Sequence, residues 1–80
     1  MSYCVYVLQS KIDGRLYTGM TSNFQRRLRQ HNSGKTRSTK SRVPFSVVYT
    51  EEVSSRAKAR KREVYLKSGA GREFIKQLAN

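Results

Sequence analysis

The sequence has little cysteine, little acidic charge and no long apolar run. Its single cysteine, Cys4, excludes an intramolecular disulfide and makes the reducing cytoplasm the default location. Lys11, Asp13 and Arg15 interrupt the first twenty residues, so we expect neither a secretory signal nor a membrane span. A chain of 80 residues predicts one domain, residues 1–80, with a thin core and an open groove in place of a deep enclosed site.

The scarcity of acidic residues leaves a large positive charge. There are 5 acidic residues against 17 lysines and arginines, a formal net charge of +12. A small domain with this charge repels itself, so we expect a polyanionic partner, of which nucleic acid is the commonest. A basic protein of membrane surfaces is the alternative. It requires an amphipathic helix with a coherent apolar face, and none is evident here.

The first third of the chain predicts a β-hairpin. Residues 3–8 and 15–20 are rich in β-branched and aromatic side chains, and Asp13-Gly14 is a strong signal for a two-residue turn. This turn pairs Ile12 with Arg15 and places Tyr6 opposite Thr21. Paired and alternating residues share a face of the sheet. One face then carries Tyr6, Leu8, Ser10, Tyr17, Gly19 and Thr21, and the apolar face carries Val5, Val7, Leu16, Thr18 and Met20.

The rest of the chain predicts three helices and one more strand. Residues 24–32 form a helix that is capped by Ser22 and Gln25 and stopped by Gly34. Residues 45–50 form a strand, Ser54 or Ser55 caps a helix that ends near residue 67, and residues 71–80 form a short helix. Residues 35–42 are a basic loop without apolar side chains, which we expect to order on binding. The order β-β-α-β-α-α predicts an α/β chain of the α+β type.

Five polar side chains in these elements are of types that can bind phosphate, transfer a proton or hold a metal. They are Tyr6, Tyr17, Arg27, His31 and Glu63. Arg27 and His31 lie four residues apart on one helical face. An arginine holds phosphate oxygens in a bidentate fork, and a tyrosine or histidine relays a proton. Glu63 shares a helical side with Ala59 and Leu66 and is the best candidate for a metal ligand. Each residue also has an ordinary alternative: strand aromatics for the two tyrosines, a solvated charge for Arg27, a partner of the helix dipole for His31, and an intrahelical ion pair for Glu63.

The positions of these residues resemble a known family. Cys4-Val5-Tyr6, ten intervening residues and then Tyr17-Thr18-Gly19 resemble the two-part signature of the GIY-YIG endonuclease superfamily. The family pattern continues with an arginine, a histidine and a downstream helical glutamate, matched here by Arg27, His31 and Glu63. The stretches at 31–35 and 42–44 resemble its small stand-alone bacterial branch. The resemblance spans roughly residues 3–68. An asparagine that some members carry after the glutamate has no clear equivalent, since Asn80 is at the extreme terminus.

The resemblance implies a single GIY-YIG-like domain, with a three-stranded antiparallel sheet flanked by helices. It also implies metal-dependent hydrolysis of phosphodiester bonds in DNA, which is favoured over RNA. Glu63 would hold Mg²⁺ or Mn²⁺, Tyr6 would be the general base, Tyr17 would position the water or the phosphate, Arg27 would stabilise the transition state, and His31 would assist proton transfer or contact phosphate. The basic residues expected to contact nucleic acid are Arg26, Lys35, Arg37, Lys40, Arg42 and Lys58.

A second hypothesis is a basic nucleic-acid-binding module that keeps this fold without turnover. It rests on the charge of +12 and on the absence of a second domain. Specificity would then come from the domain, from the basic loop or from a protein partner. Cleavage in the presence of Mg²⁺ separates the two hypotheses.

Overall fold

The element order agrees with the prediction from the sequence. The computed structural model of the protein describes residues 2–37 and 39–78. In chain order the elements are β1 (Tyr3–Ser10), β2 (Leu16–Thr21), α1 (Phe24–Asn32), a 3-10 turn (Lys40–Arg42), β3 (Phe45–Val53), α2 (Arg56–Lys67) and α3 (Gly69–Leu78). The fold is therefore the expected α+β type. The third helix begins two residues earlier than predicted, and Ala79 and Asn80 lie outside the described residues.

The sheet is antiparallel, with strand order β2-β1-β3. Its central strand β1 is covered on both faces, which is why the run from Val5 to Leu8 is buried. The pairing of β1 with β3 shifts between Val7 and Leu8, whose partners are Tyr49 and Val47. One residue of β3 is therefore extra at this point, as in a β-bulge. Strand β2 is an edge of the sheet, and its residues are open to a neighbouring groove.

The predicted two-residue hairpin turn is wrong, and the register differs by two residues. Tyr6 pairs with Gly19, and the loop runs from Lys11 to Arg15. The Ser10 N–H donates to the Arg15 carbonyl, and the Ser10 hydroxyl accepts from the backbone N–H groups of Ile12 and Asp13. These hydrogen bonds satisfy backbone groups of a five-residue loop, in which Gly14 has a φ of 74°. Because side chains alternate with a period of two, the predicted faces are unchanged.

Two small cores lie on opposite faces of the sheet. On one face, Val5 and Val7 pack against Ala59, Leu66 and Ile75 of the last two helices. On the other face, the buried members are Tyr6, Leu8 and Phe45, with Phe24, Leu28 and Val43 packed against them. The first helix therefore covers the face that carries the tyrosines, whereas α2 and α3 cover the apolar face, as the alternation predicts.

The helix caps and the basic loop differ in detail from expectation. Asn23, not Ser22, caps α1, because its side chain accepts from the Arg26 N–H at 3.1 Å. Ser55 caps α2, one of the two serines predicted. The basic loop is more structured than expected, because it contains the 3-10 turn and because Thr39 is fully buried. No helix in the described part of the chain is long and apolar enough to cross a membrane.

Candidate functional site

The Tyr6 side chain passes over the partner strand β2 at Gly19. The two residues are paired in the sheet, and the Tyr6 side chain is buried. A methyl group on Gly19 would lie 2.5 Å from Tyr6 Oη and 2.7 Å from its Cζ, much closer than van der Waals contact allows. Only glycine leaves the space in which this phenol lies. The hairpin thus directs the Tyr6 hydroxyl over β2, toward the first helix.

A buried chain of hydrogen bonds continues from this hydroxyl. Tyr6 Oη lies 3.1 Å from His31 Nε2, and His31 Nδ1 lies 3.0 Å from Thr39 Oγ1. His31 and Thr39 are both fully buried. His31 is therefore a core residue with two side-chain partners, which goes beyond the helix-dipole role considered from the sequence. Thr39 was not predicted, because a threonine in a polar loop carries no sequence signal for burial.

Arg27 and Tyr17 complete this face. Arg27 is half-buried close to the Tyr6 hydroxyl, and its Nη1 donates to Gln30 Oε1 at 3.1 Å. The Tyr17 ring lies 4.9 Å from the His31 ring, centroid to centroid, and is half-buried. Four of the five predicted catalytic side chains are thus close neighbours on one face of the sheet.

The surroundings perturb the protonation of these groups. Burial raises the pKa of Tyr6, and the hydrogen bond from Arg27 only partly opposes this. Burial also lowers the pKa of His31, and the nearby positive charge of Arg27 lowers it further. The hydrogen bond with Tyr6 raises the pKa of Arg27. At neutral pH the face therefore holds a phenol, a neutral imidazole and a guanidinium, of which the guanidinium alone is charged.

Glu63 approaches β2 from the opposite side of the sheet. It lies on the inward side of α2 with Ala59 and Leu66, as predicted, and is 8% exposed. Its Oε1 accepts from Arg60 Nη1 at 2.7 Å, and its Oε2 accepts from Lys67 Nζ at 3.3 Å. Burial alone would raise the pKa of Glu63, but these two hydrogen bonds outweigh burial and the pKa is lowered. Glu63 is thus an ionised carboxylate with two cationic partners.

A groove at the edge of the sheet joins Glu63 to Tyr17. Its volume is about 630 Å³, and both side chains line it. The polar members of its wall are Arg15, Tyr17, Thr18, Arg42, Glu63, Lys67 and Arg72. Four of these residues are cationic, so the groove suits an anion. Arg15, Lys67 and Arg72 were not predicted as site residues, because they come from three separate segments that only the fold brings together.

The other predicted contacts with nucleic acid are dispersed. Lys35, Arg37, Lys40 and Lys58 are exposed, and Arg26 lines a smaller groove beside Arg27. Arg42 differs from these, because it is only partly exposed and its Nε lies 3.5 Å from Asp13 Oδ2. This ion pair lacks hydrogen-bond geometry, and no other described residue accepts from Arg42 Nε or Nη2. Of the six predicted contacts, Arg42 is the one that enters the groove of Tyr17 and Glu63.

The donor set near Glu63 limits the kind of metal site that is feasible. Among residues 2–37 and 39–78 there is no group of three histidine, cysteine or acidic side chains that could hold a metal. Mg²⁺ is commonly held by one or two carboxylates together with water and substrate phosphates. A single ionised Glu63 in a groove that suits phosphate fits that arrangement.

Comparison with known proteins identifies the family. The family model described as "GIY-YIG catalytic domain" matches residues 2–74. The chain belongs to the GIY-YIG family. The family positions recognised in the sequence, namely the two tyrosines, Arg27, His31 and Glu63, all lie within the matched range.

The chain is similar to small UPF0213 proteins of this family. A UPF0213 protein of Staphylococcus haemolyticus is 39% identical over 75 residues, which cover 92% of this chain and 90% of that protein. A longer UPF0213 protein of Desulfotalea psychrophila is 44% identical over 68 residues, covering 82% of this chain and 61% of its own length. The solution NMR structure of a UPF0213 protein from Bacillus halodurans is 37% identical, with a TM-score of 0.60, and covers 98% of this chain and 85% of that chain. These likenesses support the fold and the predicted small stand-alone branch.

Proposed function

We propose that the protein is a divalent-metal-dependent endonuclease that hydrolyses phosphodiester bonds in DNA. One observation carries most of the proposal: Tyr6, bonded to His31 and next to Arg27, lies on the strand pair whose edge groove holds Tyr17 and Glu63. Phenol, guanidinium and carboxylate can act as general base, charge stabiliser and metal ligand in phosphodiester hydrolysis. The cationic wall of the groove supports a phosphate-bearing substrate.

In this proposal each side chain has a separate task. Tyr6 is the general base toward the attacking water, and His31 takes part in moving its proton. Arg27 stabilises the negative charge that builds on the phosphate in the transition state, and Tyr17 positions the water or the phosphate. Glu63 would hold Mg²⁺ or Mn²⁺, which when bound supplies a positive charge near the scissile phosphate and the leaving oxygen.

The exposed cations supply binding energy and not sequence recognition. Lys35, Arg37 and Lys40 extend from the basic loop, and Arg26 and Lys58 lie near the starts of two helices. Such residues neutralise backbone phosphates, and this contribution does not depend on base sequence. We expect DNA as the substrate and the cytoplasm as the location, with any sequence or branch preference supplied by loop contacts or by a protein partner.

The experiment compares cleavage by the wild type and by Glu63→Gln. Branched, nicked and linear DNA are incubated with each protein in Mg²⁺ or Mn²⁺, with Glu73→Gln as the matched control because Glu73 is exposed on α3 and outside the groove. We expect cleavage by the wild type and the control, and a loss of about 100-fold or more in Glu63→Gln. Binding in EDTA separates lost chemistry from lost affinity. Equal cleavage by wild type and Glu63→Gln would refute the proposal.

A second candidate function is a binding module without turnover. The observation that favours it is the pairing of both Glu63 oxygens, with Arg60 and with Lys67. A carboxylate used in this way stabilises a helix through two cationic partners, without any need for a metal. This function predicts DNA affinity that falls steeply with salt, with a log–log slope of about −0.9 per neutralised phosphate, and no cleavage of any substrate in either metal.

A further inference from the structure

The buried chain Tyr6–His31–Thr39 ends on the backbone of the basic loop. The Thr39 hydroxyl lies 3.5 Å from the Thr36 carbonyl oxygen, to which the Thr39 N–H also donates at 3.0 Å. The loop therefore reaches the candidate general base through two side chains, and water has no access to the imidazole because His31 is fully buried. In each hydrogen bond of such a chain one group donates and the other accepts, and the groups at the two ends of the chain determine which is which.

The hydrogen bonds of Thr39 determine whether His31 Nδ1 carries a proton. The Thr36 carbonyl only accepts, so the Thr39 hydroxyl is the donor in their 3.5 Å hydrogen bond. The Thr39 oxygen is then left to accept from His31, which requires a proton on Nδ1. In a neutral imidazole the other nitrogen, Nε2, is therefore an acceptor.

The Tyr6 end of the chain is compatible with the same tautomer. The Arg27 guanidinium lies close to the Tyr6 hydroxyl and has no atom that could accept the Tyr6 proton. The Tyr6 hydroxyl proton is then free to point at His31 Nε2, 3.1 Å away. The Thr39 end therefore assigns the proton of His31 to Nδ1, and the Tyr6 end is compatible with that tautomer. Burial and the charge of Arg27 lower the pKa of His31, in keeping with a neutral ring.

We propose that Thr39 is a positioning residue that holds His31 in the Nδ1–H tautomer, so that His31 Nε2 accepts the proton of Tyr6. This inference rests on the proposed function for its role in cleavage, but the tautomer itself does not depend on that function. Thr39 touches neither substrate nor reacting atoms, and it acts only through His31. A neutral tyrosine is a weak base, with an ordinary pKa of about 10. With His31 as the acceptor of its proton, Tyr6 becomes one link of a proton path.

In this proton path, each bond that breaks is matched by one that forms. The oxygen of the attacking water bonds to phosphorus while its proton passes to the Tyr6 oxygen, and the original Tyr6 proton passes to His31 Nε2. The bond from phosphorus to the leaving oxygen breaks, and that oxygen takes a proton from solvent. His31 carries the extra proton as an imidazolium until that proton returns to solvent through the Tyr6 hydroxyl. No oxidant or further reactant is required.

The test reads the His31 tautomer directly by ¹⁵N NMR of the imidazole in the free protein. Thr39→Val removes the hydroxyl with little change of shape, Thr39→Ser keeps it, and Thr36→Val is the matched control, since Thr36 contributes its backbone carbonyl to the chain. We expect the wild type, Thr39→Ser and Thr36→Val to show a protonated Nδ1 and an unprotonated Nε2. Thr39→Val should show a mixture of tautomers or the opposite one.

Cleavage kinetics supply the second readout. In Thr39→Val we expect kcat to fall by about 10-fold or more with little change in KM, and Thr39→Ser to restore it. A wild-type His31 with its proton on Nε2 overturns the proposal, as does a Thr39→Val protein with an unchanged tautomer. If the NMR result is as expected and the wild type cleaves no DNA, the assignment of Thr39 stands and the proposed function fails. If Thr39→Val does not fold, the wild-type and Thr39→Ser spectra still decide the tautomer.

Discussion

Gly19→Ala is the sharpest test of the site, because one methyl group acts on the side chain proposed as general base. The new Cβ would lie 2.5 Å from Tyr6 Oη and 2.7 Å from Cζ. Carbon and oxygen atoms in good contact are about 3.5 Å apart, so the phenol would have to move by about 1 Å. The ring of Phe24 lies 5.5 Å away, centroid to centroid, and His31 Nε2 is hydrogen-bonded to the hydroxyl. Tyr6 is 2% exposed, so it has little free space to move into.

The magnitude follows from two opposing effects. The φ angle of Gly19 is not positive, so alanine fits the backbone there, and loss of freedom in the unfolded chain would stabilise the protein by about 0.4–1 kcal/mol. Overpacking of a buried site costs about 1–3 kcal/mol. Overpacking is the larger effect, so we expect a net loss of stability. A displacement of about 1 Å at the base also predicts a fall in cleavage rate of about 100-fold.

Urea unfolding and DNA cleavage measure the two effects separately. Gly69→Ala is the matched control, because a methyl group there meets no atom within 4 Å. Adding Tyr6→Phe to Gly19→Ala removes the oxygen that lies nearest to the new methyl group. The double variant should therefore lose less stability than the sum of the two single changes. If Gly19→Ala unfolds at the same urea concentration as the wild type and cleaves at the same rate, the close approach of Tyr6 to β2 is wrong.

Two further changes test the packing and the buried imidazole. A methyl group on Gly71 would strike the backbone of Tyr65 and Leu66, which cannot rotate away, so Gly71→Ala should lower the free energy of unfolding by about 1–3 kcal/mol or more. An unchanged urea midpoint would contradict this contact. The lowered pKa of His31 means that below about pH 6.5 the unfolded chain binds the additional proton, so stability falls as pH falls through this window. The slope of the free energy of unfolding against pH approaches about 1.4 kcal/mol per pH unit in this window, and this contribution is absent at higher pH. His31→Gln should lack it, and parallel pH curves for the two proteins would show that His31 titrates normally.

The faces of the hairpin could be predicted from the sequence, although its turn could not. The alternation of Tyr6 and Leu8 with Val5 and Val7 determines which residues share a side, and a shift of two residues leaves that assignment unchanged. The loop depends on the Ser10 hydroxyl, which accepts two backbone N–H groups. Serine at that position has no more turn signal than many strand residues, so Asp13-Gly14 dominated the prediction.

Some residues of the candidate site could likewise be predicted from the sequence, and others could not. Arg27 and His31 are found from helical spacing, and the inward direction of Glu63 follows from its spacing to Ala59 and Leu66. Thr39, Lys67 and Arg72 could not be found in this way, because their importance depends on contacts between distant segments. A loop threonine becomes part of the site only when α1 and the basic loop pack together. Tertiary neighbours of this kind leave no local periodic pattern.

The ion pairs of Glu63 are weaker than their short distances suggest, and this favours the catalytic proposal over the binding module. Arg60 and Lys67 are 65% and 51% exposed, and pairs of this kind contribute about 0–1 kcal/mol. Under the proposed function, a DNA backbone that enters the groove brings phosphate oxygens, which are good partners for both cations. The same event would free both oxygens of Glu63 and supply the phosphate ligands that a single-carboxylate Mg²⁺ site lacks in the free protein. Under the proposed function, the pairs would keep the carboxylate ionised and in place until a substrate arrives.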